Sequence, residues 1–208
     1  MGWGENSMRQ AFALAVVLYS GAVSAEPMSG RYGPLLLTVH GGEVHGVFSE
    51  GRVGNGDEAA PQFSCLFLLK GQLTNGRAAV ETWFPGETDR ISGVLDLGAV
   101  PRIKLTENHG GGLMTSGDMT AEPFPLDAGE RHADWVGAGL VTAPKAVLRQ
   151  EPRDDLKRTR PYLVELDAFA VLEQRDGWVR VSFGGTDGPP ASGWLRADEV
   201  AMSVAAVR

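Results

Sequence analysis

The chain has 208 residues, of which 43% are hydrophobic and 22% charged, a balance that excludes a disordered polymer. Its 26 acidic residues outnumber 19 basic ones, for a net charge of -7, and no cationic stripe is present to match a phosphate backbone, which excludes nucleic acid as a partner. A single cysteine allows neither an internal disulfide nor a paired-cysteine zinc site.

Residues 1–25 have the order of a secretory signal peptide. Met8-Arg9 supplies a cation, Ala11 to Leu18 an apolar run, and Val23-Ser24-Ala25 the small residues that precede a cleavage site. The run is well short of the ~20 apolar residues that a membrane-spanning helix needs. Cleavage before Glu26 predicts an exported, periplasmic or secreted chain with no membrane insertion afterwards. Met1 to Ser7 carries Glu5 and no cation, so Met8 is an alternative start. In an oxidising compartment a lone thiol is expected to be inert. Cys65 lies within Phe63-Ser64-Cys65-Leu66-Phe67-Leu68-Leu69, with only Lys70 nearby to stabilise a thiolate, so it is expected in the core.

From Leu35 onward glycine and proline interrupt short alternating runs, and no long segment has a helical period, which predicts an all-β chain. A two-residue turn at Gly41-Gly42 sets Val39 against Val44, Leu37 against Gly46 and Leu35 against Phe48. That register puts Thr38, His40, Glu43 and His45 on the opposite face, expected to meet solvent. His40, Glu43 and His45 offer two imidazoles and a carboxylate, the donor types of a zinc site, but diagonal cross-strand spacing and the lack of a supporting shell favour no metal and no cofactor. Asn75-Gly76 is a preferred type I′ pair; it opposes Leu73 to Ala78, Gly71 to Val80 and Lys70 to Glu81. Residues 90–97 and 100–107 add two strands. Residues 26–125 are therefore expected to form an antiparallel barrel or sandwich.

Asn108 to Asp134 breaks this rhythm with His109-Gly110-Gly111-Gly112, Ser116-Gly117-Asp118 and Glu122-Pro123-Phe124-Pro125. Its composition predicts a linker that trails to about residue 135, with the domain boundary near 125. His109 would then sit in a flexible loop, without a Ser or Cys partner in a context that marks a nucleophile, and His132 would be exposed.

Residues 136–200 resemble the bacterial-type Src-homology-3-like domain, a small β-barrel. The resemblance is carried by Leu140-Val141 and Ala146-Val147-Leu148-Arg149, by Leu163 to Asp167 followed by Ala168 to Leu172, by Asp176-Gly177-Trp178-Val179-Arg180-Val181, and by Gly193-Trp194-Leu195-Arg196-Ala197-Asp198-Glu199-Val200. It implies a barrel over residues 136–208 with Trp178 packed in its core. It also implies Trp194 as the wall of a peptide groove, with Tyr162 and Trp135 as neighbours. Thr186-Asp187-Gly188-Pro189-Pro190 lengthens the loop before Trp194 relative to the family.

Together these features predict an exported, non-catalytic binding protein that engages cell-wall material (peptidoglycan) or an envelope protein. An inhibitor or immunity protein against a secreted enzyme is the alternative, since residues 26–125 carry 12 acids and 7 bases and suit a basic partner. A small envelope hydrolase centred on His109 or on His40 and His45 is the third reading.

Overall fold

The computed structural model describes residue 1 and residues 28–52, 62–154, 161–184 and 189–205. The expected signal peptide and residues 186–188 of the loop before Trp194 lie outside the described residues. The chain is all-β, as its patterning predicts. A nine-stranded antiparallel sheet holds β1 (Gly30–Tyr32), β2 (Leu35–His40), β3 (Glu43–Arg52), β4 (Phe63–Thr74), β5 (Arg77–Trp83), β6 (Ile91–Asp96), β7 (Arg102–Leu105), β8 (Phe124–Pro125) and β9 (Ala128–Arg131). The strands from β1 to β8 neighbour one another in chain order, and β9 pairs with β1. Both predicted hairpins form in the predicted register, Val39 opposite Val44 and Lys70 opposite Glu81. Asn75 and Gly76 have φ of 50° and 76°, the left-handed pair that a type I′ turn requires.

The sheet curls like part of a cylinder. Its two end strands, β8 and β9, are separated only by Leu126 and Asp127, so the chain itself bridges the seam. Leu126 is buried, and its N–H donates to the Pro101 carbonyl at 2.8 Å. The inner face forms one core from Leu35, Leu37, Val44, Phe48, Phe67 and Leu95 with their neighbours. Phe48 and Phe67 are stacked with ring centroids 4.8 Å apart, and Phe124 meets Phe48 edge-on.

A second sheet, in the order β15-β14-β13-β10-β16, contains β10 (Gly137–Val141), β13 (Ala168–Arg175), β14 (Trp178–Phe183), β15 (Ala191–Arg196) and β16 (Val200–Val204). The hairpin of β11 (Lys145–Val147) and β12 (Tyr162–Val164) lies between β10 and β13 in the chain, and a 3-10 turn, Ala197–Glu199, leads into β16. Val141, Leu163, Phe169, Val179, Val181 and Leu195 fill the core of this unit.

The outer face of β2–β4 meets the second sheet. Leu36, Val47, Leu66 and Leu68 pack against Trp135, Ala138, Leu140 and Ala170, and β10 is buried along its full length. This corrects the expected solvent face of the first hairpin: Thr38 and His45 are buried, while His40, at the turn, is exposed. Leu35-Leu36-Leu37 and Leu66-Phe67-Leu68-Leu69 are unbroken apolar runs because both of their faces are covered.

The stretch expected as a linker is packed. It contains α1 (Gly112–Thr115), β8 and β9, and it buries Met119 and Leu126 in the inner core. Gly111 makes this possible. Its φ is 74°, and a Cβ there would lie 2.0 Å from the Ser64 carbonyl oxygen, so only glycine lets the loop backbone rest on β4. At the loop base the Asp118 carboxylate accepts from the Thr120 hydroxyl at 2.6 Å and from the Asn108 amide at 2.8 Å, and these bonds hold its pKa down at about 2.

Candidate functional site

Among the described residues, no group of three His, Cys, Asp or Glu side chains is placed to hold a metal ion. His45, Glu43 and Ser203 nonetheless fall in line. His45 Nδ1 lies 3.0 Å from Ser203 Oγ, and His45 Nε2 lies 3.4 Å from a Glu43 carboxylate oxygen. The order serine, histidine, acid is that of an activated nucleophile, but the surroundings differ. Ser203 is buried between the sheets, and its hydroxyl donates to the Leu69 carbonyl at 2.6 Å. Thr38 donates to the His45 carbonyl at 3.3 Å. While the sheets are docked, no substrate can approach Ser203; the group joins β16 to the middle of the first sheet. Burial lowers the His45 pKa, the Glu43 carboxylate works against that, and the Lys70 ammonium adds to it.

His109, expected in a flexible loop, is stacked on Phe67 at 4.5 Å, and its Nε2 lies 2.7 Å from the hydroxyl of the buried Thr82. That hydroxyl donates to the Ile91 carbonyl at 3.1 Å, so Nε2 carries the proton and donates to Thr82. Burial pushes the ring pKa down to about 4, which keeps it neutral near pH 7. Here His109 serves as a polar peg that ties the loop to β5. Cys65 is buried as expected, and desolvation raises its thiol to about 11.

The three aromatics implied as a groove are separated. Trp135 is buried in the seam between the sheets, stacked on His132 at 4.2 Å, and His132 is thereby sheltered rather than exposed. Tyr162 is 53% exposed on β12, with the Lys145 ammonium 4.1 Å from its ring. Trp194 is buried, only 6% exposed, but it lies outside the cluster of Val179, Val181 and Leu195 that fills this unit. The β14–β15 register opposes Trp178 to Arg196 and Arg180 to Trp194, which places both tryptophans on the outer face, away from Val179, Val181 and Leu195.

Arginines cover these two rings in different ways. Trp178, implied as core, is only partly buried and lies beneath Arg149 at 5.0 Å and Arg196 at 5.7 Å. Both guanidiniums are tied down, Arg149 by Asp154 and Glu199, Arg196 by Asp154 and Asp198. Trp194 has Arg175 over it at 5.1 Å, and that side chain is 59% exposed and bonded to its strand neighbour Glu173. An exposed pair of this kind is worth ~1 kcal/mol or less, so lifting Arg175 off the ring is easy. Arg175 and Ser203 carry no motif in the sequence; the nearest hint is Ser203 as a polar residue within Val200-Ala201-Met202-Ser203-Val204.

No protein-family model, curated protein or solved structure matches this chain.

Proposed function

We propose that the chain is an exported, non-catalytic binding protein made of two β-modules, the second a Src-homology-3-like barrel, and that it holds cell-wall peptides or an envelope protein in the periplasm. The barrel reading is supported by the strand order β15-β14-β13-β10-β16, the hairpin within the first long connection, the turn at Gly177 with φ of 73°, and the 3-10 turn before the last strand. The observation that carries the binding reading is Trp194, a large flat ring on an outer sheet face beneath one loosely held arginine. Aromatic faces of this kind supply much of the energy of peptide recognition. Tyr162 lies outside that surface as an exposed aromatic on the hairpin, and Trp135 serves the seam between the modules.

Incubation of the purified protein with cell-wall sacculi, followed by pelleting, tests the reading. Wild type is expected in the pellet, Trp194→Ala in the supernatant, and Arg175→Ala in the pellet at equal or greater yield. A wild type that stays wholly soluble overturns wall binding. The net charge of -7 favours one second reading, a periplasmic inhibitor of a basic secreted enzyme. Salt-sensitive co-purification of a cationic enzyme, with no sacculus binding, is the outcome that selects it.

A further inference from the structure

Ser203 Oγ has one hydrogen, and the Leu69 carbonyl, 2.6 Å away, can only accept, so the hydrogen points to Leu69. At the 3.0 Å contact with His45 Nδ1, Ser203 is therefore the acceptor and Nδ1 carries a proton. The second ring nitrogen, Nε2, faces the Glu43 carboxylate at 3.4 Å. A neutral ring presents a lone pair to that carboxylate, and a charged ring presents a proton. Among the described residues, the charged groups around the ring include Glu43 on its own strand, Lys70 opposite it in register on β4, Glu81, which pairs with Lys70 at 3.3 Å, and the exposed His40 further along β2. The strands of the second sheet that pack here, β10 and β16, contribute only uncharged residues, Gly137 to Val141 and Val200 to Val204.

We propose that His45 is a proton-sensitive latch between the two modules: the neutral Nδ1–H ring ties β16 to the first sheet, and protonation in mild acid loosens the docking. Gln72 donates to the Glu43 carboxylate at 3.3 Å, and Lys70 stands opposite the ring, so Glu43 only partly offsets a buried imidazolium. Burial of His45 costs the charged ring more than Glu43 returns, so the docked state binds the proton less readily than the separated modules would. Docking is then fully supported above the ordinary histidine pKa and weakens as pH falls below it. Each unit of difference between the free and docked rings raises the open fraction by up to about tenfold.

Nitrogen-resolved NMR of the histidines in the full chain tests the tautomer, and hydrogen exchange at the amides of Val47, Leu68, Ala138 and Leu140 tests the docking. At neutral pH, His45 is expected to be protonated at Nδ1 and bare at Nε2. Corrected for intrinsic rates, seam opening is expected to rise between pH 7.5 and 5.5 in wild type. It is expected to stay flat in His45→Asn, whose amide still donates to Ser203 but cannot titrate. An Nε2–H tautomer, or equal pH dependence in the two proteins, overturns the latch. Should His45→Asn fail to fold, Ser203→Ala replaces it: loss of the Nδ1 preference is expected, and an unchanged tautomer overturns the assignment. His132→Gln is expected to keep the pH effect; its disappearance there would move the effect to the Trp135 stack and overturn the proposal.

Discussion

The outer face of the first sheet has two halves that share a backbone and differ in partner. Strands β2–β4 present Leu36, Val47, Leu66 and Leu68, and the second module covers them. Strands β5–β7 present Arg77, Glu81, Asp96, Arg102 and Lys104, joined by pairs such as Arg77–Asp96 at 3.8 Å and Arg102–Asp96 at 3.9 Å, and they meet water. What changes between the halves is the chemistry of alternate residues, and that alone decides where a second layer can dock. The half left open is braced from within, where His109 rests on Phe67 and bonds Thr82.

The largest effect that would break or confirm this contrast is a cavity in the covered half. Leu68→Ala is expected to lower unfolding stability in urea by about 2–5 kcal/mol, whereas Val94→Ala on the open half should change it by no more than about 0.5 kcal/mol. Similar values at the two positions would mean that the seam is not a packed core. Next in size is Ser203→Ala, which removes the hydroxyl that links His45 Nδ1 and the Leu69 carbonyl to β16. A loss of about 1–3 kcal/mol is expected, with Ser92→Ala on the open half as a near-neutral control.

Acid should discriminate further. The folded pKa of His109 is lowered from 6.5 to about 4, so the unfolded chain takes up the proton first. The stability that this neutral ring supplies is complete above pH 6.5 and declines as pH falls toward about 4. Melting temperatures recorded across that range should fall in wild type more than in His109→Phe, and parallel curves would remove His109 as the inner brace. The smallest effect is at the border between the halves. The Lys70–Glu81 pair is about half exposed on both sides, and Lys70→Ala should cost less than about 1 kcal/mol, shrinking further in high salt.

Local chemistry made the first module's hairpins legible, because Asn75-Gly76 and Gly41-Gly42 fix a turn and the turn fixes every pair beyond it. What lay beneath His45 was not legible. A polar residue on alternate positions reads as solvated until the partner that covers it, here Ser203, is 158 positions away and unknown. The glycines near residue 111 mislead for a different reason: flexibility and close packing call for the same side chain, and only contact with Ser64 tells them apart. Trp194 shows a different limit. Its parity on β15 places it outward, but the arginine that covers it comes from β13 and leaves no mark on its own strand.

The short bridge at Leu126-Asp127 has a consequence for the order of assembly. From β1 to β7 each strand pairs with its predecessor in the chain, so pairing can spread along the polypeptide as it lengthens. Gly30, however, finds Arg131, and that single long-range handshake cannot occur until nearly two thirds of the polypeptide exists. A chain cut short of residue 124 would hold every hairpin of the first sheet and still leave Phe48 without its edge-on cap and β1 without its outer neighbour. Such a fragment would be ready to recruit a strand from another molecule.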